Sequence, residues 1–252
     1  MGSFHWEDLF RLELTGSHRT TIEVARTVMG CNFFGPEDAQ HCFGIELAPE
    51  VVDYFTQVPF SEGMLLSSRT THVLVAMIRL SIRQLQEMAR VGQLKFVPTL
   101  TSTHGETIGD LPIFCDQNLD DRQLLADVSG PYRWRLIAKS PVPGSLNKPW
   151  DDQLRLFEGN GRAPHSESDQ HGVASDEVPV VHEVVYTAIA HFLATGEWLY
   201  ENAFLRCANP ITRNSHVTVG YFGPEGLAIS QATRTQTVPS LGLASARVAS
   251  RL

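Results

Sequence analysis

His182 and Glu183 stand side by side in a segment whose apolar residues repeat at helical spacing. A zinc-binding helix of the H-E-x-x-H type needs a second imidazole four residues after the first, so that both reach one ion. That position holds Tyr186. The next imidazole, His191, falls on roughly the opposite helix face at about 3.6 residues per turn. The pair therefore reads as polar residues flanking an apolar stripe. A second metal-type grouping is Cys31, His41 and Cys42, with His18 as a candidate fourth ligand. Structural zinc wants four ligands and usually a closely spaced cysteine pair, which this chain lacks. The expectation is no metal, and buried thiols in a short helical pair.

Nucleophilic chemistry has two candidates. Cys207 follows Arg206, and a neighbouring guanidinium can lower a thiol pKa, but adjacent residues of a strand face opposite ways. Cys115 precedes Asp116. No G-x-S-x-G, Walker or G-x-G-x-x-G motif occurs, so a hydrolase elbow and the common phosphate cradles are excluded and no cofactor is expected. An anion-binding reading attaches to the proline-bearing loop 139–148, where Lys139, Ser145 and Lys148 gather downstream of Arg133 and Arg135. The competing reading is a solvated connector with rigid turns.

Arg133, Arg135 and Lys139 share one face of a strand, opposite Trp134, Leu136 and Ala138. With the arginines of the tail they make a candidate basic strip for RNA, although no aromatic platform accompanies it. Residues 20–44 have helix-turn-helix spacing. The second helix would lead with Glu37 and Asp38, which would meet phosphates with negative charge, so DNA is excluded as a partner.

The 252 residues are 42% hydrophobic and 19% charged, which is enough to build a core without staples. Net charge is −8, unevenly spread. Residues 1–60 hold nine acids against three bases, and residues 202–252 hold five arginines against one acid. These ends attract each other, within one chain or between copies, and are the expected contact surfaces for self-association or a protein partner. The start of the chain is acidic, no apolar run of about 18 residues occurs, and Trp6 stands where a myristoylation signal wants Ser or Thr. The expectation is a soluble cytoplasmic protein with reduced thiols and no membrane contact.

The elements that must position these residues follow from pattern. Residues 20–29 read as an amphipathic helix stopped by Gly30, and a second helix opens at Pro36 and closes at Gly44. Residues 71–76 read as a buried strand and 81–90 as a helix capped by Ser81, with one long helix as the alternative. Residues 132–138 alternate as a strand, and Lys148-Pro149-Trp150 opens a helix. Residues 158–177 have almost nothing to bury and read as a mobile polar loop. The strongest helix spans 179–194, with Asp176 and Glu177 at its positive end and Gly196 as its stop. Strands 217–222 and 227–230 reverse at Gly223-Pro224-Glu225-Gly226.

Three stretches carry a resemblance: Asn32–Glu37 with Val58–Glu62, Trp134–Ile137 with Pro143–Ser145 and Lys148–Trp150, and Leu205–Leu227. Together they resemble bacterial hypothetical proteins known from environmental genomes. The resemblance covers most of the chain and implies no activity, ligand or catalytic residue.

The fold expectation is α+β. A small acidic helical segment (1–60) leads into a body (61–252) with one mixed, mainly antiparallel sheet covered by one or two helices. That sheet would contain 132–138, 203–207, 217–222 and 227–230. The functional expectation is a non-catalytic binding or scaffolding protein, because the polar residues are dispersed. The alternative is a small-molecule enzyme whose site assembles around Cys207, His182 or the 139–148 loop.

Overall fold

The computed structural model describes residues 19–96, 111–115, 119, 122–126, 132–159 and 175–248. In chain order the elements are β1 (Thr20–Thr21), α1 (Ile22–Met29), β2 (Phe33–Phe34), α2 (Pro36–Phe43), α3 (Pro49–Tyr54), β3 (Gln57–Val58), α4 (Glu62–Ser68), β4 (His72–Met77), α5 (Ile82–Arg90) and β5 (Ile113–Cys115). There follow α6 (Arg122–Ala126), β6 (Arg133–Ala138), α7 (Trp150–Gly159), β7 (Ser175–Glu177), α8 (Val181–Thr195), β8 (Phe204–Thr212), β9 (Ser215–Gly223), β10 (Gly226–Thr233), β11 (Leu241–Leu243) and β12 (Ala246–Val248). The class is α+β.

Local chemistry fixes the helix ends. The Thr21 hydroxyl accepts the Val24 N–H and the Asp38 carboxylate accepts the Gly35 N–H, starting α1 and α2. Ser81 and Gln84 form a reciprocal capping box on α5, with Ser81 Oγ accepting the Gln84 N–H at 3.1 Å. Residues 72–90 are therefore strand then helix. Gly196 closes α8 at φ 75°, a left-handed conformation that glycine adopts without a Cβ penalty.

The strands form two five-stranded sheets and one short antiparallel pair, β1–β3. Sheet A runs β2-β4-β6-β12-β7 and sheet B runs β11-β8-β9-β10-β5. The expected single sheet is thus two: β6 pairs with β4 and β12, while β8, β9 and β10 pair among themselves. The reason is α8, whose residues Val181–Ala194 are all buried and which touches β2, β4 and β6 on one side and β8 and β9 on the other. A helix enclosed on every side needs two layers over it. Residues 241–248 are divided in the same way, with β11 joining sheet B and β12 joining sheet A.

The core around α8 is aromatic on both sides. Phe34 and Phe43 pack on Tyr186 toward sheet A, and Phe192 packs on Trp198 and Phe222 toward sheet B. Outside sheet B, α7 covers Arg206 and the buried Ser145.

Within the stretch expected to be a mobile loop, residues 158–159 end α7 and 175–177 form β7. Residues 160–174, like His18, Asp116 and Arg251, lie outside the described residues. Asp176 and Glu177 do not cap α8. They belong to β7, and their carboxylates pair with Arg247 and Arg135 respectively. No described helix is long and apolar enough to cross a membrane.

Candidate functional site

At 3.6 residues per turn, Glu183, Thr187, Ala190, His191 and Ala194 share one face of α8. This is a polar seam inside the core, with its small residues interleaved. Its two ends differ in chemistry.

At the N-terminal end Glu183 occupies the first turn, where its Oε2 accepts the Val180 N–H at 3.2 Å. β6 brings Arg133 and Arg135 to the same carboxylate because residues two apart on a strand face one way. Arg133 Nη2 lies 2.8 Å from Glu183 Oε1 and Arg135 Nη2 donates to Oε2 at 3.1 Å, while Arg135 Nε pairs with Oε1. Glu177 of β7 closes the far side of Arg135. Burial pulls the Arg135 guanidinium down, but the hydrogen bonds and charges of Glu183 and then Glu177 outweigh it and leave its pKa above the ordinary value. Next door, Arg247 Nε lies 3.4 Å from Asp176 Oδ1, and Arg247 Nη1 donates to Ser68 Oγ at 2.8 Å.

At the C-terminal end the side chain of His191 is 0% exposed. Four chain segments converge there. Lys139, just past β6, lies with its Nζ 3.9 Å from Glu197 Oε2 and donates to Asn32 Oδ1 at 3.0 Å. Asn32 in turn donates to the Arg69 carbonyl at 2.7 Å, which fixes its amide. Glu197 is presented by the helix stop: Thr195 Oγ1 donates to the His191 carbonyl and accepts the Glu197 N–H at 3.0 Å. Glu197 Oε2 stands 3.5 Å from His191 Nε2, too far for a good hydrogen bond, and its side chain is 67% exposed. Neither His191 nitrogen, nor Thr187 Oγ1 one turn earlier, finds a hydrogen-bond partner among the described residues. Burial, then the charge of Lys139, pushes the imidazole down to about 4 against the opposing pull of Glu197. At neutral pH the site therefore holds an uncharged imidazole beside an ammonium, with an exposed carboxylate at its mouth.

The other sequence candidates are dispersed. Cys207 is fully buried, and burial, then Glu183, pushes its thiol pKa up, so it carries no thiolate. Arg206 points away from it, across sheet B, to the carbonyls of Lys148, Thr233 and Gln236 and to Gln153 Oε1. His182 Nε2–H donates to the Leu80 carbonyl. Ser145 is buried, its Oγ accepting the Leu243 N–H at 3.1 Å. Lys148 contributes its carbonyl to Arg206. Of the five proposed anion ligands, Arg133 and Arg135 meet at Glu183, Lys139 reaches the His191 cluster, and Ser145 and Lys148 lie under α7 and sheet B. Cys31 is exposed, Cys42 is buried with its thiol pushed up to about 12 by burial and then Asp38, and His41 Nε2 lies 3.1 Å from the Phe96 carbonyl. Among the described residues no group of three or more His, Cys, Asp or Glu side chains is placed to hold a metal ion.

Sequence reasoning passed over Asn32, Thr187, His191 and Glu197 as a set. One signal was readable: Glu183, Thr187 and His191 recur at intervals of four inside an otherwise apolar helix. No protein-family model, curated protein or solved structure matches the chain.

Proposed function

We propose that this protein binds a small organic anion at the cluster of Asn32, Lys139, His191 and Glu197. One observation carries the reading: a fully buried imidazole that makes no hydrogen bond among the described residues, with Glu197 3.5 Å from its Nε2, lies beside a partly exposed lysine. Buried polar groups normally have hydrogen-bond partners, so an imidazole without one invites one. Lys139 supplies the charge and His191 a hydrogen bond. Glu197, held loosely by both, is the group that an incoming carboxylate displaces. The four cysteines are all unpaired, which fits a reducing compartment and supports action in the cytoplasm.

Isothermal titration of the whole chain with propionate and with inorganic phosphate tests this. Saturable binding in the wild type that is lost in Lys139→Met and weakened in His191→Gln supports it. Absence of binding for both probes, or equal binding in Lys139→Met, refutes it.

A second reading is contact with a protein partner, as the dispersed polar residues first implied. It draws on the outer face of sheet B. Phe114, Ala228, Gly220 and Phe204 stand in register there, with Phe114 55% and Tyr221 45% exposed and the Phe204 and Tyr221 rings 4.7 Å apart. Sedimentation of the wild type against Phe114→Glu distinguishes it: a change in assembly state supports contact through this face, and identical behaviour counts against it.

A further inference from the structure

We propose that the anion site extends one helical turn inward to Thr187, and that its ligand is a small carboxylic acid with a second oxygen, a hydroxyl or carbonyl, close to the carboxylate. The inference rests on the binding reading above and adds the class of acid.

Thr187 is 0% exposed, and its Oγ1 has no partner among the described residues. A threonine inside a helix ordinarily returns its hydroxyl to the carbonyl four residues back, and this one does not. It shares its helix face with His191, about 6 Å nearer the N-terminus of α8. Ala190 and Ala194 flank the two, so that face carries no large side chain between them. Two independent buried polar groups, one turn apart and both unsatisfied, face the seam that Lys139 caps. A hydroxyl both donates and accepts, and a neutral imidazole has one donor and one acceptor nitrogen. Together they suit an uncharged oxygen better than a second carboxylate. The charged end of the ligand stays at the mouth with Lys139 and Asn32, and the neutral oxygen enters the dry interior. A buried site built to hydrogen-bond an oxygen discriminates against the analogue that lacks it, because its own groups then stay unpaired.

Titration of the full-length chain with propionate, lactate and pyruvate, which differ only at the carbon beside the carboxylate, tests the class. The expected result is that lactate or pyruvate binds ~10-fold or more tightly than propionate. Thr187→Val, which keeps the shape and removes the hydroxyl, should abolish the preference, so that the three acids bind alike. Thr187→Ser should keep the preference. Equal binding of all three acids by the wild type, or a preference that survives in Thr187→Val, overturns the inference while leaving the carboxylate site standing. Failure of every acid to bind the wild type removes both. The wild-type comparison decides the matter by itself should Thr187→Val not fold.

Discussion

Two buried arginines, one on each sheet, are held by opposite means. Arg135 of sheet A is 2% exposed and sits between the carboxylates of Glu183 and Glu177. Arg206 of sheet B is 0% exposed, and its hydrogen bonds among the described residues go to uncharged oxygens, three carbonyls and one amide. The first is raised in pKa by its acids. The second is pulled down to about 10 by burial and stays charged at neutral pH. The difference shows how each side of α8 is assembled. Sheet A is joined to the helix by charge that fails if one partner is lost. Sheet B is tied to α7 and to the 233–236 turn by a cation acting as a many-armed donor, and its loss frees several loops at once.

The sharpest break in this comparison is Glu183→Ala. It leaves Arg135 and Arg133 facing each other without their shared carboxylate and removes the cap on Val180. Removing one partner of a buried pair costs about 3–5 kcal/mol, and the lower end of that range applies here because Glu177 still faces Arg135. Urea denaturation should show that loss, and a cost under about 1 kcal/mol would mean that water already reaches the network.

Arg206→Met should cost less, about 2 kcal/mol. It strands the acceptors of Lys148, Thr233, Gln236 and Gln153, but it also removes a desolvated charge, and the two effects oppose each other. The loss should be nearly independent of salt, since no ion pair is broken. If it depends on salt as strongly as Glu183→Ala does, the contrast between the two sheets fails.

Much of this frame is local and was readable. Ser81 before Ile82, Gly44 after Phe43, Gly196 after Thr195 and the Gly223–Gly226 reversal each act within one turn of chain, so short-range chemistry locates them. The two-sheet arrangement was not readable. It is decided by residues 241–248, where β11 and β12, only two residues apart, join different sheets by pairings with partners far away in the chain. The site divides the same way. Its helix face shows in the spacing of Glu183, Thr187 and His191. Lys139 and Asn32 meet only because β6 and β2 flank β4, a matter of strand order that no local pattern encodes.

The polar seam extends the contrast from arginines to the uncharged end of α8, and pH exposes it. His191 has its folded pKa depressed from 6.5 to about 4, so the unfolded chain binds a proton more readily across that interval. The stability held by neutral His191 is therefore complete above about pH 6.5 and is lost as pH falls toward 4, on the order of 2 kcal/mol. His216, stacked on Trp150, is also depressed, first by burial and then by Arg234, and adds a slope of the same sign. Denaturation midpoints measured from pH 7 to 4.5 should fall in the wild type and fall less in His191→Gln. Equal slopes would assign the acid sensitivity to His216 and remove His191 from the account.

The smallest expected effect has the opposite sign. Thr187 buries a hydroxyl that nothing in the described protein satisfies, so in the absence of ligand it costs stability rather than adding it. Thr187→Val keeps the branched shape and removes that cost, and should stabilise the ligand-free protein by about 1 kcal/mol, or roughly 2–4 °C in melting temperature. A stabilising substitution at the centre of the most buried helix is what a binding group kept unpaired for a ligand predicts. A purely structural threonine, or one that holds a permanent water, would lose stability on the same change. The melting curve therefore separates a seam whose polar groups are left unpaired at the C-terminal end of α8 from one closed by its own charges at the N-terminal end.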